Sequence, residues 1–490
     1  MRKKSKIRRN RAREDLFPYA PVTIARIEMQ GLFGYFNYLL PSQTSPTKSL
    51  TRLMLLYGDN GSGKTTILQI VFHVLSAAND RGHRTVLASI SFNRIIIHLS
   101  NGIAIVVQRP KNSHVGSYSL AMKNRRKTLA QFQFDVDGNL QRADKSPLTD
   151  KGLNNYVAYL SKMSLDLYFL TDSRDFVSDT FPREDQPNDE VRRDRIMRAR
   201  ERVAVLTRGP YLSPEALRSI SELQDLERAE ETSRTKTKTG AANLIELSIS
   251  RLVRWIEYKA LQGSNEGEAN VNSIYADLVA TLAKSAKHSI PVKTKSVDQI
   301  CDALQELQMR SEKFAIFGLT KPLTTGEMIG LIRKIPPSRH EVVFNVLQPY
   351  INGIEARFDA LQSLQDIILE FTKALNSLYS NKSVEFSMAT GLQIVARNGF
   401  RLSPSMLSSG ERQLMLLMCN VIMARDRSSI FIIDEPELSL NVKWQRALVD
   451  LLLECTKDGQ IQFLIATHSI ELLTQHQANV VDLIEVGTKI

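Results

Sequence analysis

Residues 53–75 read "LMLLYGDNGSGKTTILQIVFHVL", and this stretch decides the fold. Its first five residues form an apolar run that predicts a strand, while the apolar positions Ile67, Val71 and Val74 follow a helical period. Between them, residues 58–65 read "GDNGSGKT" and match the pattern G-x-x-x-x-G-K-[ST] in full. The stretch therefore predicts a strand, a phosphate-binding loop and a helix in direct succession.

The loop at residues 58–65, here called the P-loop, carries the residue types that a nucleoside triphosphate needs. Its glycines let backbone N–H groups surround phosphate oxygens, Lys64 neutralises charge at the β- and γ-phosphates, and the Thr65 hydroxyl can ligate Mg²⁺. A glycine-rich turn that binds nothing is the alternative, and the flanking strand and helix argue against it. The residues expected to contact ATP here are Gly58, Asn60, Gly61, Ser62, Gly63, Lys64, Thr65 and Thr66.

The composition sets the broad class of the protein. A chain of 490 residues with 43% hydrophobic content can bury a large core or form more than one domain. No run of about 18 uncharged apolar residues and no signal peptide is visible, so we expect a cytoplasmic protein with no membrane association. Cys301, Cys419 and Cys455 are too far apart for a Cys-x-x-Cys zinc site, and buried free thiols are expected.

The positive charge of the chain is concentrated at its start. The net charge is +12, and residues 1–15 hold eight Lys/Arg against two acidic residues, so half of the excess lies there. This basic tail, assigned to residues 1–16, could bind nucleic-acid phosphates. A solvated N-terminus without a ligand is an equally good interpretation.

The segment 17–182 is predicted to form the first part of a nucleotide-binding head. Residues 21–41 alternate like a strand and then turn through two glycines. Residues 84–108 predict an antiparallel meander of two or three strands, with a turn at Asn101-Gly102.

Residues 183–380 change to a helical, heavily charged character. Twelve Lys/Arg offset twelve Asp/Glu over 183–236, as on a solvated helical surface, and a loop is predicted at 261–273. Apolar residues from Leu347 to Leu378 are spaced by threes and fours, which predicts a coiled-coil-like helix about 50 Å long. Such a helix needs a partner, and residues 241–260 are the candidate.

An arginine cluster lies within the charged region, at residues 192–202. On a helix, Arg195, Arg198 and Arg202 share one face, which could bind nucleic acid or an acidic partner. A solvated charged helix is the favoured alternative. The cluster comprises Arg192, Arg193, Arg195, Arg198, Arg200 and Arg202.

The last part of the head is assigned to residues 381–490, where the β/α pattern returns. Residues 383–397 predict a hairpin. Residues 429–435, "SIFIIDE", and 461–469, "IQFLIATHS", predict buried parallel strands, and residues 442–454 predict the helix between them.

Three side chains at the ends of these two strands suit phosphate chemistry. Asp434 would hold Mg²⁺, and Glu435 would orient or deprotonate the attacking water. His468, flanked by the neutral donors Thr467 and Ser469, could contact the γ-phosphate. Two carboxylates at the end of a buried strand are costly without a cation nearby, so a purely structural role is disfavoured.

A second anion-binding element is predicted at residues 406–413, "MLSSGERQ", directly before the apolar segment "LMLLMCNVIMA". Small hydroxyl residues and a glycine ahead of a helix leave backbone N–H groups free for an anion. The candidate contacts are Ser408, Ser409, Gly410 and Glu411.

The order of these motifs resembles the ATP-binding-cassette ATPases, and specifically their SMC-like and OLD-like branch. The resemblance implies an α/β head, with a mixed sheet and an antiparallel lobe, split by a helical, partly coiled-coil insertion. It also implies that two copies enclose two ATP molecules with Mg²⁺. Ser409 and Gly410 of the signature turn (residues 407–413) would then contact the γ-phosphate held by the partner's P-loop. The loop from Glu437 to Asn441 would contact its counterpart.

One expected element of this family has no clear counterpart. The family usually has a glutamine that senses Mg²⁺ after a strand. Gln108 and the "LYFLTDSRD" strand, which offers Arg174 instead, are both weak alternatives.

The run "DEPELSLNVKWQRALVDLLL" looks like the ATPases of bacterial anti-phage systems such as Septu, the Septu-type retrons and PARIS. That resemblance implies a homodimer or higher oligomer that senses a phage trigger and controls a separately encoded HNH or TOPRIM nuclease. A DNA-repair ATPase that binds DNA ends or gaps, and an ATP-bound scaffold that does not hydrolyse, remain alternatives. About 20 residues follow His468, so no TOPRIM domain is expected there. We predict no nuclease activity for this chain, and interpret carboxylates such as Asp172, Asp175, Glu184 and Asp185 as surface and loop charge.

Overall fold

The computed structural model describes residues 22–42, 52–79, 81–111, 113–136, 147–172, 176–178, 244–264, 297–457 and 459–485. These form two compact units. The first unit combines residues from 1–243 and 424–490, and the second unit spans 244–423. The basic tail, the Arg192–Arg202 cluster, Arg174 and the 265–273 part of the predicted loop lie outside the described residues.

The strands are β1 (Ile24–Leu32), β2 (Phe36–Leu40), β3 (Leu53–Tyr57), β4 (Arg94–Leu99), β5 (Ile103–Gln108), β6 (Tyr118–Asn124), β7 (Lys127–Phe134), β8 (Leu165–Leu170), β9 (Phe176–Ser178), β10 (Lys382–Ser387), β11 (Gly391–Ala396), β12 (Arg401–Leu402), β13 (Ser428–Asp434), β14 (Ile461–Ala466) and β15 (Val480–Asp482). The helices are α1 (Lys64–Leu75), α2 (His83–Ser89), α3 (Pro147–Lys162), α4 (244–264), α5 (Val297–Ile316), α6 (Gly326–Ile332), α7 (His340–Leu378), α8 (Ser409–Met423), α9 (Val442–Cys455) and α10 (Ile470–Gln475). Short 3-10 turns lie at Pro337–Arg339, Pro404–Met406, Ala424–Asp426, Pro436–Ser439 and Gln477–Asn479.

The first unit contains a mostly parallel sheet that places the functional motifs side by side. Its strand order is β15-β3-β14-β13-β8-β9, and only β9 runs antiparallel to its neighbour. The strands β3, β14 and β13 are adjacent and parallel, so their carboxyl ends meet at one edge. Ligands of α/β sheets bind at that edge.

An antiparallel sheet of order β2-β1-β4-β5-β6-β7 forms the other β layer of this unit. Gln108 ends β5 in this sheet, which agrees with its predicted place in the antiparallel lobe. The predicted meander is right for β4 and β5 but wrong at its start, because residues 83–89 form helix α2. In α2 the buried positions include Leu87 and Ala88 while Val86 is exposed, which is a helical face and not an alternating one. A short apolar run of this kind fits either period in the sequence.

Helix α1 joins both sheets into one core. Its buried residues belong to a single hydrophobic cluster with side chains of the antiparallel and parallel sheets. The Phe72 ring lies 5.4 Å from that of Phe169 on β8, and the Tyr156 hydroxyl of α3 donates to the Val74 carbonyl at 2.6 Å. The α1 position is therefore fixed on the parallel sheet that carries the site.

Polar side chains on the parallel sheet also bind the start of β1. The Gln462 side chain accepts from the Ile24 N–H at 2.7 Å and donates to the Ile24 carbonyl at 3.0 Å. The Ser428 hydroxyl accepts from the Val22 N–H at 2.9 Å. Gln462 is 1% exposed, so these hydrogen bonds form inside the protein.

The second unit is mainly helical and includes the predicted long helix, which is confirmed as α7. Its packing partner in the structure includes α5, since Arg310 pairs with Asp359 at 2.8 Å and the Phe314 and Phe358 rings stack at 5.0 Å. The sequence pattern did not indicate α5. The predicted partner, α4, also packs closely against α7. If Gly263 of α4 carried a Cβ atom, that atom would lie 3.1 Å from the Ala360 carbonyl oxygen of α7.

Two further predictions concern this unit. The loop predicted at 261–273 is wrong at its start, because residues 261–264 continue helix α4. The hairpin predicted at 383–397 is confirmed, with β10 and β11 paired in register and β12 as the third strand.

Candidate functional site

The P-loop follows β3 and leads directly into α1. Gly61 and Gly63 adopt φ values of +82° and +89°, a left-handed conformation that glycine tolerates far better than other residues. Lys64, only 5% exposed, donates from Nζ to the carbonyls of Gly58 at 2.8 Å and Asp59 at 3.1 Å. The loop therefore curls around its own lysine.

The charge of Lys64 is balanced by nearby carboxylates. Burial lowers the pKa of the Lys64 ammonium, and Glu435, Asp434, Asp59 and Glu437 oppose this shift. A cation held among carboxylates at the end of the sheet can bind the negative oxygens of a phosphate chain.

The β1–β2 hairpin supports the P-loop from one side. The buried Tyr38 hydroxyl donates to the Ser62 carbonyl at 2.9 Å. A Cβ at Gly63 would approach Leu32 Cδ2 to 2.9 Å and Phe33 Cε2 to 3.1 Å, so the hairpin packs closely against the loop. This hairpin fixes the loop in the conformation that exposes Asn60 and Gly61.

Asp434 ends β13, a strand whose seven residues are all buried. Desolvation by burial raises the pKa of Asp434 to about 6, with smaller raising effects from Glu435 and Asp172, while the Thr65 hydroxyl and Lys64 act to lower it. By hydrogen-bond geometry, neither Asp434 carboxylate oxygen has a partner among the described residues, although Thr65 is near enough to affect its pKa. A buried carboxylate in this state is costly unless a cation or donor completes it.

Glu435 leaves the strand with its backbone in the left-handed region, at φ 45° and ψ 57°. Its N–H donates to the Ala466 carbonyl at 2.9 Å, and Oε1 lies 3.4 Å from Nε2 of His468. Both side chains are partly exposed, Glu435 at 26% and His468 at 32%. The carboxylate and the imidazole thus face each other at the edge of the sheet, open to a ligand.

The neutral donors beside His468 turn to Glu437. The Thr467 hydroxyl donates to Oε1 of Glu437 at 2.7 Å, and the Ser469 N–H does so at 3.1 Å. Thr467 itself is fully buried. These neighbours of His468 therefore bind a carboxylate of the adjacent loop, and the predicted contact with the γ-phosphate concerns His468 alone.

The sequence profile of the AAA ATPase domain matches residues 46–473, which is most of the chain. The chain belongs to the AAA ATPase domain family. A search among curated proteins gives no significant match.

Solved structures that resemble this AAA ATPase include Smc head domains. One, from Pyrococcus furiosus, has an extended coiled coil and is bound to the C-terminal domain of ScpA; it shares 14% identity over 92% of this chain and 91% of that one, with a TM-score of 0.32. Another, from Pyrococcus yayanosii, has a coiled coil and joint, with 13% identity, coverage of 92% and 93%, and a TM-score of 0.34. The family assignment rests on the sequence profile alone.

The AAA ATPase site fits Mg²⁺ by its donor set. The two Asp434 oxygens, buried and without a hydrogen-bond partner among the described residues, and the Thr65 hydroxyl are hard oxygen ligands of the kind that Mg²⁺ prefers. The described residues contain no group of three or more His, Cys, Asp or Glu arranged for a metal. That is compatible with Mg²⁺, which commonly takes one or two protein oxygens and completes its shell with water and phosphate. When bound, Mg²⁺ would neutralise phosphate charge.

The signature turn lies in the second unit, at the start of α8. Ser408 and Glu411 form a capping box, in which the Ser408 hydroxyl accepts from the Glu411 N–H at 3.3 Å and Glu411 accepts from the Ser408 N–H at 2.7 Å. Two N–H groups that we expected to be free are therefore occupied. The N–H groups of Ser409 and Gly410, in the first turn of the helix, still lack intrahelical acceptors.

Lys382 and Tyr379 hold the same turn. Lys382 Nζ contacts both carboxylate oxygens of Glu411, at 2.8 and 2.7 Å, and the Tyr379 hydroxyl donates to the Glu411 carbonyl at 3.0 Å. Desolvation tends to raise the pKa of Glu411, but its hydrogen bonds to Lys382 and Ser408 outweigh this and the pKa is lowered. Glu411 is therefore a charged structural residue of the turn, facing Ser408 and Lys382 within the second unit.

The structure brings together in the first unit the residues predicted at the P-loop, at Asp434 and Glu435, and at His468. Sequence reasoning missed Tyr38 and the role of Glu437. It also interpreted Asp172 as loop charge; Asp172 is exposed as expected, but it is close enough to act on the pKa of Asp434. No local sequence pattern marks Asp172, because its closeness to Asp434 depends on the pairing of β8 with β13.

No helix in the described part of the chain combines the length and the apolar character needed to cross a membrane. All three cysteines lie within the described residues, where they are buried and form no disulfide, as predicted.

Proposed function

We propose that this AAA ATPase binds ATP with Mg²⁺ at the P-loop and hydrolyses it. The observation that carries the proposal is the Glu435 carboxylate, which directly follows β13, within electrostatic reach of Lys64 and 3.4 Å from His468. Glu435 would accept a proton from the water that attacks the γ-phosphate. Lys64 would bind the phosphate chain, and Thr65 with Asp434 would hold Mg²⁺.

Two copies would close around two ATP molecules. The support for this step is the resemblance of the signature turn and of the Glu437–Asn441 loop to those of ATP-binding-cassette ATPases. Ser409 and Gly410 offer a hydroxyl and helix-start N–H groups, which suit the γ-phosphate bound by another copy. Hydrolysis would then be coupled to opening of the dimer.

We further propose that the dimer, or a larger oligomer built from it, regulates a separately encoded nuclease in defence against phage. This step rests on the resemblance of the "DEPELSLNVKWQRALVDLLL" run to the defence ATPases. The helical insertion would be where the trigger or the HNH or TOPRIM nuclease docks.

The test of the defence function uses the chain with its native neighbouring genes. A tagged wild-type chain should co-purify a nuclease, and cells carrying the locus should resist phage. The variants Lys64→Ala and Glu435→Gln should abolish resistance, while Glu454→Gln, an exposed change on α9, should not. Full phage resistance in the Lys64→Ala strain would refute a role for nucleotide in defence.

A DNA-repair ATPase is the second candidate, and one observation favours nucleic-acid contact. The β6–β7 turn carries four exposed basic side chains, Lys123, Arg125, Arg126 and Lys127, in five residues. Within the described chain none of the four has an ion pair or a side-chain hydrogen bond, so they are available to phosphates. Strong stimulation of hydrolysis by broken duplex DNA without a partner protein, lost in Arg125→Ala/Arg126→Ala, would favour repair over defence.

A third candidate is a scaffold in which ATP is bound but not hydrolysed. It differs from the first two in the role of Glu435. In a scaffold, Glu435→Gln leaves biological activity intact, whereas in an ATPase whose cycle matters the same variant is inactive although it binds ATP. Lys64→Ala disables all three versions and reports on nucleotide binding only.

A further inference from the structure

We propose that Glu437 is a positioning residue for hydrolysis, which sets the backbone of His468 so that its imidazole faces Glu435. This inference rests on the proposed ATPase function. Glu437 lies two residues after Glu435, in the short 3-10 turn Pro436–Ser439, and reaches across to the end of the neighbouring strand β14.

A single oxygen of Glu437 collects three hydrogen bonds from consecutive residues. Oε1 accepts from the Thr467 hydroxyl at 2.7 Å, from the His468 N–H at 2.6 Å and from the Ser469 N–H at 3.1 Å. Hydrogen bonds from N–H groups to a carboxylate are roughly twice as strong as neutral ones. The backbone on both sides of His468 is therefore tied to the loop that begins at Glu435.

Gln445 of α9 makes a second tie between the same two segments. Its Nε2 donates to the Leu440 carbonyl at 3.0 Å, and its Oε1 accepts from the Ser469 hydroxyl at 2.8 Å. Two independent side chains therefore connect the loops that carry Glu435 and His468. The 3.4 Å separation of their side chains follows from this connection.

The second oxygen of Glu437 argues against a role as a simple turn cap. Oε2 is buried and has no hydrogen-bond partner among the described residues, which is an unfavourable arrangement. A glutamine would accept the same three hydrogen bonds without a buried charge. Glu437 also acts on the pKa of Lys64, so its negative charge reaches the phosphate-binding lysine. A carboxylate at this point therefore serves the site as well as the turn.

The experiment compares Glu437→Ala, Glu437→Gln and the exposed control Glu471→Ala in the full-length chain, with steady-state ATP hydrolysis and ATP binding measured for each. We expect Glu437→Ala to lower kcat about 10- to 100-fold with KM changed less than about threefold, because misplacement of a catalytic group costs rate and not binding. Glu437→Gln should recover most but not all of kcat, since its amide oxygen can accept the same hydrogen bonds while its charge near Lys64 is lost. Glu471→Ala, which removes only a surface pair with Arg446, should match the wild type.

The combination with His468→Ala gives the decisive readout. If Glu437 acts through His468, adding Glu437→Ala to His468→Ala causes little further loss of kcat, whereas independent effects multiply. Multiplying losses, or a Glu437→Ala kcat within twofold of the wild type, would overturn the inference. If Glu437→Ala fails to fold, Thr467→Val removes one of the three donors and should lower kcat several-fold with KM unchanged. An unchanged kcat in that variant would equally refute the positioning role.

The failure of this inference differs from failure of the proposed function. A wild-type chain that binds ATP without turnover refutes hydrolysis itself. A wild-type chain that turns over, with Glu437 variants that do not follow the pattern above, refutes only the role of Glu437.

Discussion

At the scale of single residues, Glu435, the proposed general base, has an unfavourable backbone conformation. A glutamate at φ 45° lies in the left-handed region that few non-glycine residues adopt, at a cost of the order of 1 kcal/mol. The hydrogen bond from its N–H to Ala466 holds it there. The turn brings the carboxylate out of the buried strand and towards His468, so the strained backbone lies where the reacting water would be.

Tyr38 tests whether the β1–β2 hairpin supports the P-loop. Tyr38→Phe removes the hydroxyl that donates to Ser62, leaving that carbonyl without its buried donor. We expect the free energy of unfolding to fall by about 1–3 kcal/mol and ATP binding to weaken. Urea unfolding and ATP titration measure the two effects. Tyr35→Phe, at a side chain that is 60% exposed, is the matched control and should change neither.

Asp166, at the start region of β8, tests the electrostatics of the core. Burial raises its pKa to about 6, although Arg427 opposes the shift. Because the folded state binds this proton more tightly than the unfolded chain, Asp166 destabilises the protein progressively as pH rises through about 4 to 6. We expect the difference in unfolding free energy between Asp166→Asn and the wild type to grow by about 2 kcal/mol, in favour of the variant, from pH 4.5 to pH 7.5.

The measurement is chemical unfolding of both proteins at the two pH values. A difference in unfolding free energy that stays constant with pH would show that Asp166 titrates normally and that the burial argument is wrong.

Much of the site could be predicted from the sequence, because its motifs are local. The P-loop pattern predicts the roles of Lys64 and Thr65. An apolar run followed directly by Asp434 and Glu435 predicts the carboxylates of the site. Tyr38, Asp172 and the hydrogen bonds of Glu437 could not be found this way. Their partners lie 24 or more residues away, and which residues meet depends on strand order, not on local pattern.

At the scale of elements, the close contact between α3 and β7 explains a glycine inside a helix. A Cβ at Gly152 would lie 2.2 Å from the Gln131 carbonyl oxygen, a distance that only a backbone shift can relieve. Gly152→Ala should therefore lower the unfolding free energy by about 1–3 kcal/mol, although alanine favours helices. Gly330→Ala in α6, where nothing lies within 4 Å, should be neutral or stabilising.

Thermal unfolding of the two glycine variants separates the contribution of packing from that of helix propensity. Equal stabilisation by both alanines would contradict the tight contact between α3 and β7.

The elements also show why periodicity alone was insufficient. The β-rich pattern of residues 84–108 predicts strand from its start, yet residues 83–89 bury one face of a helix. Helix α7 was found because its pattern extends over many turns. Its contact with α5 was missed, since an amphipathic face does not specify what covers it.

At the scale of the whole molecule, the signature turn and the P-loop lie in different compact units of the chain. The second unit includes the hairpin β10–β11 and extends past residue 380, where the sequence ended the insertion. Tyr379 and Lys382 lie just after the end of α7 and hold the signature turn through hydrogen bonds to Glu411. The signature turn is therefore held next to the end of the long helix.

Nucleotide-dependent association tests the proposed dimer. In Glu435→Gln, which should retain ATP, we expect ATP with Mg²⁺ to convert monomers to dimers, as measured by light scattering after size-exclusion chromatography. Adding Ser409→Arg should block this conversion while ATP binding persists, because the side chain enters the proposed interface. Ser405→Arg, at another exposed serine before the helix, is the control. A dimer that forms equally without ATP or with Ser409→Arg would contradict the closure of two copies around nucleotide.

The most direct test of the central claim is a paired measurement on Glu435→Gln: equilibrium binding of ATP and the rate of phosphate release. If Glu435 is the general base, we expect ATP binding to stay within about threefold of the wild type. Phosphate release should slow by about 10²- to 10⁴-fold, the usual contribution of a general base. Phosphate release at the wild-type rate would contradict the assignment of Glu435 and, with it, the proposed mechanism.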